Sequence, residues 1–203
     1  MSVLRWLPTF LAFPLGGLIS LLVLGPSSSA GIALAGGVIV GASIGGAQWL
    51  ALGRLAGPRW LVVTACAGGT GGLLTWLIVG PPTTMAAAAG TGLIIGAVVG
   101  IAQALVLPAS RLARAIWAST VALSWMLGWV VTGSVIVEIG RGYFIFGSSG
   151  AAIATVITGV VLRAILGRRQ RPQPAKAASL GPGAGTEPIA PATSAGAAGQ
   201  TAA

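Results

Sequence analysis

The chain has no histidine, a single cysteine (Cys66) and only two acidic residues, Glu138 and Glu187. Each scarcity removes a class of chemistry. A Cys–His or Ser–His nucleophile has no base, an acid–base carboxylate pair has no second member nearby, and a metal site has no ligand set. The expectation is a protein that is not an enzyme and has no cofactor or metal. One cysteine cannot close an internal disulfide, and Cys66 reads as a small packing residue within a helix. Charge is scarce as well, at 6% of residues, where a soluble domain carries about 25%. That excludes an ordinary soluble globular fold.

What is present is apolar: 55% of residues are hydrophobic and the mean hydropathy is +0.96. A hydrocarbon layer about 30 Å thick requires about 20 residues of helix. Uncharged runs of that length occur at about 6–24, 30–52, 60–79, 85–107, 115–138 and 144–166. Turn-forming stretches separate them: GPSSSAG from Gly25, GRLAGPR from Gly53, GPPTT from Gly80, PASRLAR from Pro108 and EIGRGY from Glu138. The runs are rich in Ala, Leu and Gly and lack the alternation of a membrane β-barrel. The fold class expected is all-α, a polytopic six-span transmembrane bundle occupying residues 1–166.

Positive charge should collect on the cytoplasmic side. With the amino terminus inside, Arg5, Arg54, Arg59, Arg111, Arg114, Arg163, Arg168, Arg169, Arg171 and Lys176 all lie there, and Arg141 alone lies outside. This distribution predicts a multi-pass protein of the inner (plasma) membrane with both termini cytoplasmic. It also accounts for the net charge of +9 without nucleic acid, because the cations are spread over loop ends rather than gathered into a patch. The densest group, Arg168, Arg169, Arg171 and Lys176, follows the last span and suits an inner-surface stop in contact with anionic lipid headgroups. From residue 167 the chain is basic and then Pro-, Ala- and Gly-rich, a composition that predicts a disordered cytoplasmic tail through 203. Residues 1–30 also share features with a secretory signal, although the run from Trp6 to Leu24 exceeds the usual apolar length. Retention of this segment is expected.

A second regularity is internal. Residues 21–52 align without gaps on 76–107, pairing Gly25-Pro26 with Gly80-Pro81, Gly37 with Gly92, Gly41 with Gly96, Gly45 with Gly100, and Gln48-x-Leu-x-Leu with Gln103-x-Leu-x-Leu. Arg5-Trp6, Arg59-Trp60 and Ile116-Trp117 open the odd-numbered spans, and 112–166 forms a weaker third copy with Leu162 in place of the glutamine. A unit of two spans enters the membrane in the same direction each time, so about three parallel helical hairpins are expected. Residues spaced by four share a helix face. Gly37, Gly41 and Gly45, and likewise Gly92, Gly96 and Gly100, therefore form glycine-zipper rows through which helices approach closely. Facing rows are expected at Thr64, Gly68 and Gly72 and at Thr120, Ser124, Gly128 and Thr132. Trp6, Trp60 and Trp117 read as interfacial anchors, while Trp125 and Trp129 share a face.

Gln48 and Gln103 continue those glycine faces. Two roles are open: interhelical hydrogen bonds, or, with Glu138, the lining of a polar path. Glu138 beside Arg141 suits either a salt-bridged helix end or a cation-attracting entrance. The G-x-x-x-G-x-x-Q-x-L-x-L pattern, over about residues 30–111, resembles helical repeats of uncharacterised bacterial multi-spanning membrane proteins. The resemblance implies a bacterial inner-membrane address and no activity. Two functions follow from the sequence: a structural or accessory membrane protein that assembles with lipids, with itself or with another membrane protein, or a small transporter or channel using Gln48 and Gln103.

Overall fold

The computed structural model describes residues 3–135 and 147–168. Among these, all regular structure is helical, and six segments are long and apolar enough to cross a membrane. The first combines α1 (Val3–Trp6), a 3-10 stretch (Leu7–Leu11) and α2 (Ala12–Leu24). Pro8 explains the interruption, since it has no N–H to give and its ring crowds the preceding turn. The others are α3 (Ala30–Leu52), α4 (Gly57–Ile78), α5 (Met85–Val106), α6 (Arg111–Val135) and α7 (Ser148–Arg168).

Local chemistry sets the boundaries. Ser29 Oγ accepts from Ile32 N at 3.3 Å and Thr84 Oγ1 from Ala87 N at 3.1 Å, so α3 and α5 each begin on a hydroxyl N-cap. Ser110 does the same for α6 through Ala113 N. This cap starts α6 at Arg111, four residues before the apolar run expected from 115. Gly25 and Gly80 have φ values of 76° and 74°, the left-handed region that glycine enters without steric penalty, and there the chain leaves the first and third spans.

Each span packs on the next, most extensively α3 on α4 and α5 on α6, and α7 returns to α1 and the 3-10 stretch. The six spans thus close into a ring. The connections at 25–29 and 79–84 lie at one end, here the proline-loop end. Those at 53–56 and 107–110 lie at the other, the arginine end, with Arg5, Arg54, Arg59, Arg111 and Arg114. Arg114 Nε donates to Leu107 O at 3.0 Å and secures the exit of α5. The outer surface is apolar: Leu22, Leu50, Leu77 and Leu105 are each about two-thirds or more exposed. Such a surface fits lipid rather than water.

Glycine governs the close seams. An added Cβ at Gly41 would stand 2.5 Å from Thr64 O and one at Gly45 would stand 2.8 Å from Thr64 Cβ, while one at Gly37 would strike Gly68 O. On α5, added carbons at Gly92, Gly96 and Gly100 would meet Trp125 O at 2.6 Å, Trp125 Cβ at 2.8 Å and Ala118 O at 2.7 Å. The expected row Thr64, Gly68 and Gly72 does face α3. On α6, by contrast, Ala118, Val121, Ala122 and Trp125 face α5, whereas Gly128 and Thr132 face Gly150 of α7. Helix α6 has to serve two neighbours, and its small residues are divided between them. Cys66 also departs from expectation: it is exposed on the outside of α4, two positions from buried Thr64.

Candidate functional site

The two glutamines meet. Gln48 descends from the α3 seam and Gln103 from the α5 seam, and at the arginine end they bracket α4, which supplies Trp60 and Thr64. Gln103 Nε2 donates to Gln48 Oε1 at 2.9 Å and to Thr64 Oγ1 at 3.0 Å. Trp60 Nε1 donates to the same Gln48 oxygen at 3.0 Å, and the Thr64 hydroxyl donates to Trp60 O at 2.7 Å.

The donor inventory fixes every direction in this network. Indole N–H only donates, so the Gln48 group facing Trp60 is its oxygen, and the Gln103 group facing that oxygen is its NH2. Thr64 spends its proton on Trp60 O and so accepts from Gln103. Both hydrogens of Gln103 Nε2 and both lone pairs of Gln48 Oε1 are used. Gln48 is 6% exposed and Gln103 1%. In a low-dielectric interior such bonds strengthen one another, and losing one partner is correspondingly costly. Gln103 Oε1 and Trp117 Nε1 are buried without a hydrogen-bond partner among the described residues.

Next to the amides are three tryptophans. Trp6, Trp60 and Trp117 are each 0% exposed. Trp117 lies between the other two, with ring centroids 6.4 Å from Trp6 at 75° and 6.0 Å from Trp60 at 51°. Trp6 Nε1 donates to Thr155 O of α7 at 3.1 Å. The interfacial-anchor expectation is therefore corrected: these rings fill the interior of the ring of helices at the arginine end. The reason is room, since a six-helix ring needs large side chains at its axis, and small residues such as Gly159, against Trp6 Cδ1, admit them. The regular spacing of Trp6, Trp60 and Trp117 is visible in the sequence, but it does not distinguish interior rings from interfacial ones, because a periodic tryptophan near a helix end is equally what a membrane interface would select.

Toward the other end the interior opens into a cavity of about 310 Å3. Its mouth is framed by Gly25, Pro26, Ser27, Gly80, Pro81 and Pro82, and its deeper wall by Phe13, Val40, Gly41, Gly68, Ile95 and Trp125. Trp129, Trp76, Thr75 and Thr91 also line it, and Phe13 meets Trp125 edge-on with centroids 5.2 Å apart. Seven residues of α3, about 10 Å of helix rise, separate Gly41 from Gln48, and the lining does not extend to either glutamine. Buried Ile44, Val99 and Val121 occupy the core between these levels.

Of the remaining candidates, Glu138 lies outside the described residues, as do Arg169, Arg171 and Lys176 and the tail. Arg168 closes α7. Among the described residues no cluster of three metal-ligating side chains occurs. No family model, curated protein or solved structure matches the chain.

Proposed function

We propose that this chain is an integral protein of a bacterial inner membrane, of structural or accessory type, built from about three parallel helical hairpins with both termini cytoplasmic. The observation that carries the reading is the buried amide network. Gln48 and Gln103 are buried and bonded to each other and to α4, so Gln48 Oε1 and Gln103 Nε2 are engaged in joining three spans. A conducting path requires polar groups left free for a passing solute. At this level the Gln48 oxygen and the Gln103 nitrogen are paired and backed by three buried indoles, which supports packing over a polar path. The glycine seams support the same role, since close backbone approach is what holds helices together where lipid removes the hydrophobic drive.

The orientation rests on the arginine end, which gathers Arg5, Arg54, Arg59, Arg111 and Arg114, and on the basic run after α7 that would rest on anionic headgroups. The partners of this reading are membrane lipids along the apolar exterior and a second copy or another membrane protein. A catalytic role has no support in a chain without histidine or a nearby pair of carboxylates.

The test is water access. Single cysteines at 48 and 103, in a Cys66→Ala background, are challenged in inside-out vesicles with a membrane-impermeant thiol reagent, with cysteines at 55 and 109 as loop controls. Protection at 48 and 103 with labelled controls is expected. Labelling at both would replace this reading with the transporter or channel.

A further inference from the structure

The cavity at the proline-loop end has no part in the amide network, and its chemistry is specific. Among the described residues its lining carries no charged side chain, so along that lining an ionic ligand would be stripped of water with nothing to replace it. Its aromatic wall is Phe13, Trp76, Trp125 and Trp129, which suits the face or edge of a flat apolar molecule. Thr75 and Thr91, 6% and 4% exposed, belong to the lining, and neither hydroxyl has a hydrogen-bond partner. In a membrane helix a threonine hydroxyl ordinarily satisfies itself on a carbonyl of the preceding turn, as Thr64 and Thr158 do. Thr9, Thr132 and Thr155 also lack a partner, but of these five only Thr75 and Thr91 line this cavity, where a ligand would satisfy them. Their oxygens are covered by the wall, so a ligand pairs with them only when the threonine side chains turn toward the cavity.

Volume bounds the ligand. A cavity of about 150 Å3 accepts benzene, and small-molecule pockets begin near 300 Å3. At about 310 Å3 this one suits a two-ring compound. The closed core beneath it separates it from the arginine end, which makes it a receptacle rather than a passage among the described residues. We propose that the cavity is a binding site for a small, uncharged, flat molecule of about two rings bearing one hydroxyl or carbonyl, held between the aromatic wall and the Thr75 and Thr91 hydroxyls. The proposal extends beyond a structural or accessory role and does not depend on it, since the site and the glutamines sit at different levels.

The experiment uses the full chain in lipid nanodiscs, with quenching of tryptophan fluorescence by naphthalene, 2-naphthol and 2-naphthoate, and protein-free nanodiscs to subtract partitioning. Saturable one-to-one binding of 2-naphthol is expected, about tenfold tighter than that of naphthalene, the worth of one hydrogen bond, with no saturable binding of the anionic 2-naphthoate. Thr75→Val with Thr91→Val, which removes unpaired hydroxyls and should leave the fold intact, is expected to abolish the preference for 2-naphthol while naphthalene still binds. Ile32→Trp, at a half-buried lining position, is expected to weaken both ligands at least tenfold. Absence of saturable binding by any of the three overturns the proposal. So does binding indifferent to both variants, or a co-purifying lipid in the site that 2-naphthol does not displace.

Discussion

Gln103 Nε2 lies 2.9 Å from Gln48 Oε1, a hydrogen bond between residues 55 positions apart in the chain. The same offset relates the two stretches of sequence in which they occur. An amide placed at one point of each stretch thus becomes a bond between α3 and α5, and the spans that carry the amides are held by α4 between them. The bond is unequal. Gln48 offers one oxygen that receives two donors, whereas Gln103 offers one nitrogen that serves two acceptors and leaves its own oxygen without a partner.

That inequality predicts different costs for the same substitution. Gln48→Leu strands Trp60 Nε1 and one Gln103 N–H, and should destabilise by about 1–3 kcal/mol. Gln103→Leu leaves Gln48 still bonded to Trp60 and removes an atom already unsatisfied, so it should cost clearly less. In thermal unfolding of the detergent-solubilised protein the double variant should cost less than the sum, with a coupling of about 0.6–1.7 kcal/mol. Equal single costs and strict additivity would show that the bond contributes nothing.

The six spans are readable in the sequence because they rest on local pattern, run length against bilayer thickness. What pattern could not supply was the partner. Trp60 and Thr64 look like any tryptophan and threonine of an apolar helix until α4 is known to lie between the two glutamines. Gly128 belongs to a small-residue row that proved to face α7 rather than α5. The cavity was the least readable feature, since it is made of positions from five spans and no single segment carries its signature.

The seams predict a sharp contrast between neighbouring glycines. At Gly41 a methyl group would sit 2.5 Å from Thr64 O, whereas at Gly46 the nearest atom is a flexible leucine methyl, Leu61 Cδ1, at 3.6 Å. Gly41→Ala should force α3 from α4 and cost about 1–3 kcal/mol. Gly46→Ala should be neutral or stabilising by up to about 1 kcal/mol, the gain in helix propensity. Unfolding of both variants in the same detergent decides it, and an equal effect would mean that the seam relaxes freely.

The arginine end predicts orientation. Fusion of alkaline phosphatase after residue 55 or 109 should be inactive and fusion after residue 27 or 82 active, with green fluorescent protein giving the opposite pattern. The chain should also stay in the membrane pellet through carbonate extraction. Active phosphatase at 55 would invert the assignment of both ends and turn the cavity mouth toward the cytoplasm.

The tryptophans at the arginine end predict how the ring of helices closes. Beside the 3-10 stretch that also packs on α7, Trp6 joins the first span to the last, buried completely, bonded through Nε1 to Thr155 O and seated against Gly159. Trp6→Ala should cost about 3–5 kcal/mol, as large-to-small changes in packed cores do. Gly159→Ala should also destabilise, because its new methyl group would stand 2.6 Å from Trp6 Cδ1, and overpacking of this kind costs about 1–3 kcal/mol. The two effects have a common cause, so they cannot add: once the indole is gone, the methyl group enters space it vacated. Gly159→Ala should therefore be nearly silent, or mildly rescuing, in the Trp6→Ala background. Four unfolding curves complete the cycle, and additive costs would mean that the first and last spans are held by contacts other than this one.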